Sequence, residues 1–343
     1  MTSNKITIAV DASGGDYAPH EIVKGAVKAA QKYKVDIALV GRKAILEVLV
    51  SHYWNRPGIS IVAANQAIAF DEHPVNAIRG KPNSSIVVGV NMVQQSEAAA
   101  FVSAGNTGAL MAAALFILGK IEGVERPPLC SIVNLYPTIP ALLLDAGANA
   151  DCRPRHLLQF ADLGGIYARY VLDIEKPLIG LLSNGEEDTK GNHLTVESHK
   201  LMRQSKLNFF GNIEGHDIAK RTVDVIVTDG FTGNVVVKTV EGLGERFVRL
   251  RRYRRSLAPS SLLGGQALAQ EVGQESLVKG MDYREYGGAC LLGVKGNIIA
   301  AHGRSQAAAI TNAIGLAIRT AEQQVSDKIS QEVSPHDSAE SDS

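Results

Sequence analysis

Ser103, Gly105, Asn106, Thr107 and Gly108 sit together in the run SAGNTGALM, directly after the apolar stretch AAAFV and at the head of an apolar helical pattern. A strand that ends in small and hydroxyl-bearing residues and turns into a helix suits an anion. Small residues let backbone N–H groups approach a ligand, Ser, Asn and Thr add neutral donors, and the helix start adds positive dipole. The same residues also make an ordinary strand-to-helix turn with an Asn or Thr cap. What favours chemistry is recurrence. VTDGFTGNVVV repeats the arrangement with Asp229, Gly230, Thr232, Gly233 and Asn234, and VDASGGDYAP offers Asp11, Gly14, Gly15 and Asp16 after another apolar run. Two such Asn/Thr/Gly turns in one sheet suggest two phosphate-like groups, or one anion gripped from two sides.

Charged candidates are few. Arg79 and Lys81 precede a Ser-capped helix and suit an anion, with a solvated basic loop as the plain alternative. Asn149 lies in the Gly-rich turn LDAGANAD. GEEDTKGN gathers Glu186, Glu187, Asp188 and Lys190, a set for a cationic group or an internal salt bridge; GNIEGHD adds Glu214 and His216. His302 ends a strand, where it either donates to an oxyanion or caps the last helix. No GxSxG elbow, GxxxxGK[ST] loop or HExxH helix occurs, and the first turn is not the GxGxxG of dinucleotide sites. Cys130, Cys152 and Cys290 are far apart, without CxxC or metal spacing or a paired base, and fit a reducing compartment. These absences favour direct transfer between two bound substrates over a protein-bound acyl intermediate.

The elements that must position these turns follow from pattern. Ten apolar runs, from ITIAV through ISIVAA, ALLLD and DVIVTD to IIAAH, alternate with helical stretches including 20–32, 42–51, 84–94, 107–118, 154–170, 193–204, 233–252 and 306–323. Strands apolar throughout and separated by helices imply a mainly parallel sheet covered on both faces, with ligands at the carboxyl ends of strands. YGGACLLGVKGNIIAAH reads as a hairpin. The 343 residues, 45% apolar and 20% charged with zero net charge, fit a globular protein and argue against a general nucleic-acid binder. No signal peptide and no membrane-length apolar run are read. One α/β domain is expected over 1–325, and a disordered polar tail over 326–343.

VDASGGDYAP, SAGNTGALM, LDAGANAD, GEEDTKGN, GNIEGHDI, DVIVTDGFTGN and YGGACLLGVKG occur in this order. Together they closely resemble the bacterial phosphate acyltransferases of phospholipid synthesis, from about Ile6 to about Ala321. Ser13 stands where the family usually has Met, and Asn184 where it usually has Ile. The resemblance implies a three-layer αβα fold similar to the phosphotransacetylase and isopropylmalate dehydrogenase groups. It implies transfer of a fatty acyl group from acyl-[acyl carrier protein] to inorganic phosphate without a metal or nucleotide cofactor, a homodimer, and an acyl phosphate that feeds a membrane acyltransferase acting on glycerol 3-phosphate. On this reading Asn106, Thr107, Asn234, His302 and Lys190 are catalytic. Ser103, Asn106, Thr107 and Gly108 hold phosphate with Asn234 and Thr232 opposite, Arg79 and Lys81 assist with charge, and Asp11, Asp16 and Asp229 orient donors. Gly14, Gly15, Gly105, Asn149, Glu186, Glu187, Gly230 and Gly233 complete the binding turns.

A basic helical protrusion is expected over about 240–280. Arg246, Arg249, Arg251, Arg252, Arg254 and Arg255 crowd one stretch with no acid among them, while Leu243, Phe247, Leu250, Tyr253 and Leu257 recur at helical spacing. Such a helix suits an anionic membrane surface or an acidic carrier protein, with Leu262 and Leu263 as membrane-touching residues; a solvated helix face is the plain alternative. The chain is expected in the cytoplasm, with peripheral membrane contact. Two rival functions stay open: a decarboxylating dehydrogenase, which needs a nucleotide pocket and a metal held by aspartates, and a non-enzymatic anion-binding module on lipid.

Overall fold

The computed structural model describes residues 5–56, 58–133, 140–257 and 287–333. In chain order they form β1 (Thr7–Asp11), α1 (His20–Tyr33), β2 (Asp36–Gly41), α2 (Lys43–Ser51), β3 (Ile59–Ala63), α3 (Pro74–Gly80), α4 (Ser85–Gln94), β4 (Ala100–Ser103) and α5 (Thr107–Ala113). A π-helical turn, Ala114–Leu118, extends α5. There follow β5 (Leu129–Val133), β6 (Ala141–Leu144), α6 (Pro154–Val171), β7 (Ile179–Leu182), α7 (His193–Gln204), β8 (Phe209–Ile213), α8 (Asp217–Lys220), β9 (Val225–Val227) and α9 (Gly230–Leu257). The chain then forms β10 (Ala289–Leu291), β11 (Ile298–Ala300), α10 (Ala307–Glu322) and α11 (Val325–Glu332). Where the sequence reading has one domain, contacts group the chain into two compact units. Of the described residues the first holds 5–56, 58–129, 169–173 and 287–333, the second 130–133, 140–168 and 174–257.

In the first unit the strands run in the order β3-β2-β1-β4-β11-β10. All neighbours are parallel except the hairpin β10–β11. β1 and β4 are buried almost end to end because helices cover both faces. α1 packs with α10 on one side, and α4 and α5 lie on the other. Gly25 permits the α1–α10 contact, since a Cβ there would come within 2.7 Å of Ile310. Glu21 on α1 accepts from the Ala307 N–H at the start of α10 at 2.9 Å. That bond, aided by Lys24, holds the Glu21 carboxyl below its usual value.

The second unit orders its strands β5-β6-β9-β7-β8, antiparallel only at β5–β6. Val133, Ala141, Leu143, Ile213, Val223 and Ile226 form its core, with Val236 and Val237 of α9 packed against it.

The alternation of strands and helices follows the sequence reading closely. Several differences stand out. The stretch before the Ser-capped helix, read as a basic loop, forms α3 with Pro74 at its start and Arg79 in its last turn, and 217–220, not read as a helix, forms α8. The helix expected over 107–118 changes to π geometry at Ala114. The helix expected from Gly233 begins at Gly230, because Asp229 accepts from the Thr232 N–H and hydroxyl and so caps it earlier. The tail expected to be disordered from Ser326 is helical through Glu332, because Val325 and Ile329, four residues apart, are both buried and the Ser326 hydroxyl donates to the Val294 carbonyl. Residues 334–343 lie outside the described residues.

Candidate active site

In the first unit three turns meet at the carboxyl ends of β1, β4 and β11. Asp11, 1% exposed, ends β1. One carboxylate oxygen accepts from the Ser13 and Gly14 N–H groups at 2.9 and 3.0 Å. The other accepts from the Ser103 hydroxyl at 2.7 Å, and Ser103 Oγ accepts from the Gly105 N–H at 3.0 Å. Asp11 and Ser103 thus lock the first turn to the second. Glycine is required at the seam, because a Cβ on Gly14 would come within 2.7 Å of the Gly105 Cα and overlap Asp11 itself. Gly303 belongs to the third turn, and its carbonyl accepts from the Asp16 N–H at 2.8 Å. The Asp16 side chain is exposed.

Asn106 is the N-cap of α5. Its Oδ1 accepts from the Ala109 N–H at 3.0 Å, and its Nδ2 donates to the carbonyls of Ala69, Phe70 and Glu72 at 3.0, 3.2 and 3.3 Å. Its amide therefore holds the 69–72 segment. Thr107 is exposed, and among the described residues the Gly15, Thr107 and Gly108 N–H groups donate to no chain acceptor. These are the donors that the cluster presents outward. Lys81 donates to Glu72 at 2.6 Å and to the Ala67 carbonyl at 2.9 Å, and this pairing, with the Ala69 N–H, holds the Glu72 carboxyl below its usual value. Arg79 is exposed over the Phe116 ring, 5.7 Å from its centroid. His302 accepts the Arg304 N–H on Nδ1 at 3.1 Å, so its neutral form carries the proton on Nε2.

The second unit has its own cluster, and it is built around a residue that sequence reasoning missed. Asp145 is fully buried. Its Oδ1 accepts from the Gly147 and Ala148 N–H groups at 3.1 and 2.9 Å, and its Oδ2 from the Asn149 N–H and side-chain amide at 2.6 and 2.8 Å. The Asn149 carbonyl then accepts from the Gly230 N–H at 2.8 Å, seating the loop on the start of α9. A Cβ on Gly233 would overlap the Asp145 carbonyl oxygen, and one on Gly230 would come within 2.7 Å of that of Asn149. Thr232 is bonded to Asp229, whereas Asn234 is exposed and lies over Gly147. The one available signal for Asp145 was its position, an acid ending an apolar strand just before a Gly-rich turn.

Glu186, Glu187 and Lys190 are exposed on the loop after β7. The loop is held by groups that carry no sequence signal. Buried Asn212 donates to the Glu187 carbonyl at 2.8 Å and meets buried His199 at 2.9 Å, and His199 Nε2 lies 3.2 Å from Asp188. Glu186, His216 and Asp217 bring possible metal ligands within 4.8 Å of one another. His216 already bridges Glu214 and Asp217, and Lys220 pairs with Asp217 at 3.0 Å. Burial raises the Asp217 carboxyl, but the Glu214 N–H, Lys220 and the neighbouring His216 outweigh it and hold it below its usual value. A carboxylate so neutralised is a poor metal ligand.

All six arginines of the basic stretch fall on α9, where Arg246 is exposed; Leu262 and Leu263 lie outside the described residues. Among the described residues no helix is long and apolar enough to cross a membrane. At the amino ends of β1, β4 and β11 the first unit carries a cleft of about 880 Å³ lined by Lys5, Glu97, Lys295, Asn297, Gln324 and Asp327. Its mixed charges do not select an anion, and it lies at the opposite end of the strands from the turn cluster.

Residues 6–328 match the family model described as "Fatty acid synthesis protein". The chain is 59% identical to the phosphate acyltransferase of Dehalococcoides mccartyi over 95% of its own length and 94% of that protein. It is 44% identical to that of Nostoc punctiforme over 96% and 97%. Among solved structures it resembles a phosphotransacetylase from Streptococcus pyogenes, with a TM-score of 0.59 at 18% identity covering 95% of both chains. It also resembles the EutD phosphotransacetylase of Staphylococcus aureus, with a TM-score of 0.60 at 14% identity covering 94% of both. At these identities the likeness concerns the fold, an α/β architecture with a mostly parallel sheet.

Proposed function

Because the chain belongs to the phosphate acyltransferase family, and acyl transfer to phosphate is its reaction, we propose that phosphate attacks the thioester of an acyl-[acyl carrier protein] directly, with no acyl group parked on the protein. The observation that carries this reading is the pair of turn clusters that present neutral donors and no activated nucleophile. Ser103, the hydroxyl best placed to be one, is 2% exposed and its oxygen already accepts from the Gly105 N–H, so it is closed to an acyl donor. Phosphate near neutral pH is already an anionic nucleophile, and a thiol is a good leaving group, so neither strong base nor strong acid is essential. What the protein must supply is position and stabilisation of the tetrahedral oxyanion. The outward N–H groups of Gly15, Thr107 and Gly108 suit a phosphate oxygen. His302, next to Gly303 in the third turn, is the candidate for the thioester oxygen. Asn234 and Lys190, exposed in the second unit, are that unit's own candidates. Asn106, Asp11, Asp145 and Asp229 act as positioning residues, because their polar atoms hold the turns.

The finer parts of the reading rest on the family resemblance and on the basic stretch. The product acyl phosphate passes to a membrane acyltransferase acting on glycerol 3-phosphate, the chain works as a homodimer in the cytoplasm, and the α9 arginines meet an anionic membrane surface. Replacing four of those arginines is expected to abolish sedimentation with anionic vesicles; unchanged sedimentation contradicts the membrane contact. The reaction itself is tested by mass spectrometry on purified protein with a long-chain acyl-[acyl carrier protein] and phosphate, no metal or nucleotide added. Acyl phosphate with stoichiometric free carrier, only when phosphate is present, is the expected result. Intact substrate beside folded protein overturns the reading.

A further inference from the structure

Asn106 and Lys81 are committed to the segment between β3 and α3. Asn106 donates to three of its carbonyls. Lys81 donates to Glu72 and to the Ala67 carbonyl, and the Ala69 N–H donates back to Glu72 at 2.6 Å. Together they make a strap whose polar groups are paired internally. At its tip stands Phe70, 55% exposed. Its ring edge lies against Gly303, where an added Cβ would come within 3.1 Å of Cζ. Gly303 is the residue after His302 and the one whose carbonyl holds Asp16. Asn106, which anchors the Phe70 carbonyl, is the cap residue immediately before Thr107.

The backbone that carries the ring is fixed by these hydrogen bonds, so the ring offers a half-exposed apolar surface in a set position. Here the ring borders a cluster whose free groups are all polar donors, and the substrate of an acyl transfer joins a polar thioester to an aliphatic chain. We propose that Phe70 is a specificity-determining residue, forming an apolar wall for the chain carbons next to the thioester that phosphate attacks. The assignment rests on the carrier-bound donor reading above. Its consequence is chain-length preference: methylene groups lying on the ring leave water in the transition state, and an acetyl group has almost none to place there.

The test compares kcat/KM for palmitoyl- and acetyl-[acyl carrier protein] in the full-length protein. Phe70→Ala is expected to lower the palmitoyl-to-acetyl ratio by about tenfold with the KM for phosphate unchanged. Phe70→Leu, which keeps an apolar wall, should restore the ratio to within about twofold of the parent. Trp54→Ala, which removes a fully exposed aromatic ring elsewhere in the chain, should leave it unaltered. An unchanged ratio in Phe70→Ala, an equal loss on both donors, or a matching rise in the phosphate KM overturns the assignment. A parent protein inactive on both donors fails earlier, overturning the reading on which the assignment rests and the assignment with it.

Discussion

The two turn clusters solve one problem in two ways. Each places a buried aspartate at the end of a parallel strand and uses its carboxylate to hold a Gly-rich turn. In the first unit Asp11 reaches sideways to the Ser103 hydroxyl on the neighbouring strand, so two turns are fixed together and backbone N–H groups are left facing out. In the second unit Asp145 binds its own loop, and the loop, through the Asn149 carbonyl, seats the start of α9. What remains outward there is a side chain, Asn234. One cluster therefore offers fixed dipoles and the other an amide that can turn. The difference teaches that aspartates in such turns serve as scaffold, and that the neutral donors they align are the groups left for substrate.

The largest effect should come from removing the scaffold. Asp145→Ala leaves four donors without their acceptor and is expected to cost about 3–5 kcal/mol in urea unfolding, against about 2–4 kcal/mol for Asp11→Ala, which strands three. Equal or reversed losses would break the comparison. Next, Asn106→Ala removes both a cap and the anchor of the strap. A drop in turnover of about a hundredfold is expected for about 1 kcal/mol of stability, measured by steady-state kinetics beside thermal melting. Near-normal activity would take Asn106 out of the site. A smaller effect is the pH dependence at Glu21. Its folded-state carboxyl is held below the unfolded value, so its contribution is present above that value and lost as pH falls through the carboxylate range. The parent should therefore lose more stability than Glu21→Gln as pH falls from about 6 to about 3, read by urea unfolding at each pH. The smallest concerns thiols. Burial pushes Cys290 up to about 12, so at mildly alkaline pH it should resist alkylation while the half-buried Cys152 reacts, read by mass spectrometry.

Much of the fold was legible because its signals are local. Ser84, Asn106 and Asn192 each cap the helix that their position announces, and apolar strands doubly covered by helices read as uninterrupted runs. The site was legible only as a set of turns. Sequence places Ser103, Asn106 and Lys81 beside a ligand because their types can bind one. The structure shows those atoms bonded to Asp11, to the 69–72 carbonyls and to Glu72. Partners separated by tens of residues are set by packing, and no local pattern reports them. For the same reason His199 and Asn212, which hold the loop carrying Glu186 and Lys190, looked like ordinary residues of a helix and a strand. α11 was hidden by its polar composition, since two buried apolar residues suffice to dock it.

Direct attack by phosphate is the claim on which the account turns, and exchange between carriers tests it most directly. Acyl-[acyl carrier protein] and isotopically labelled free carrier are incubated with the protein in the absence of phosphate, and acylation of the labelled carrier is followed by mass spectrometry. No exchange is expected until phosphate is added. Exchange without phosphate would mean that the chain itself takes up the acyl group, and would contradict a site built only to hold and align.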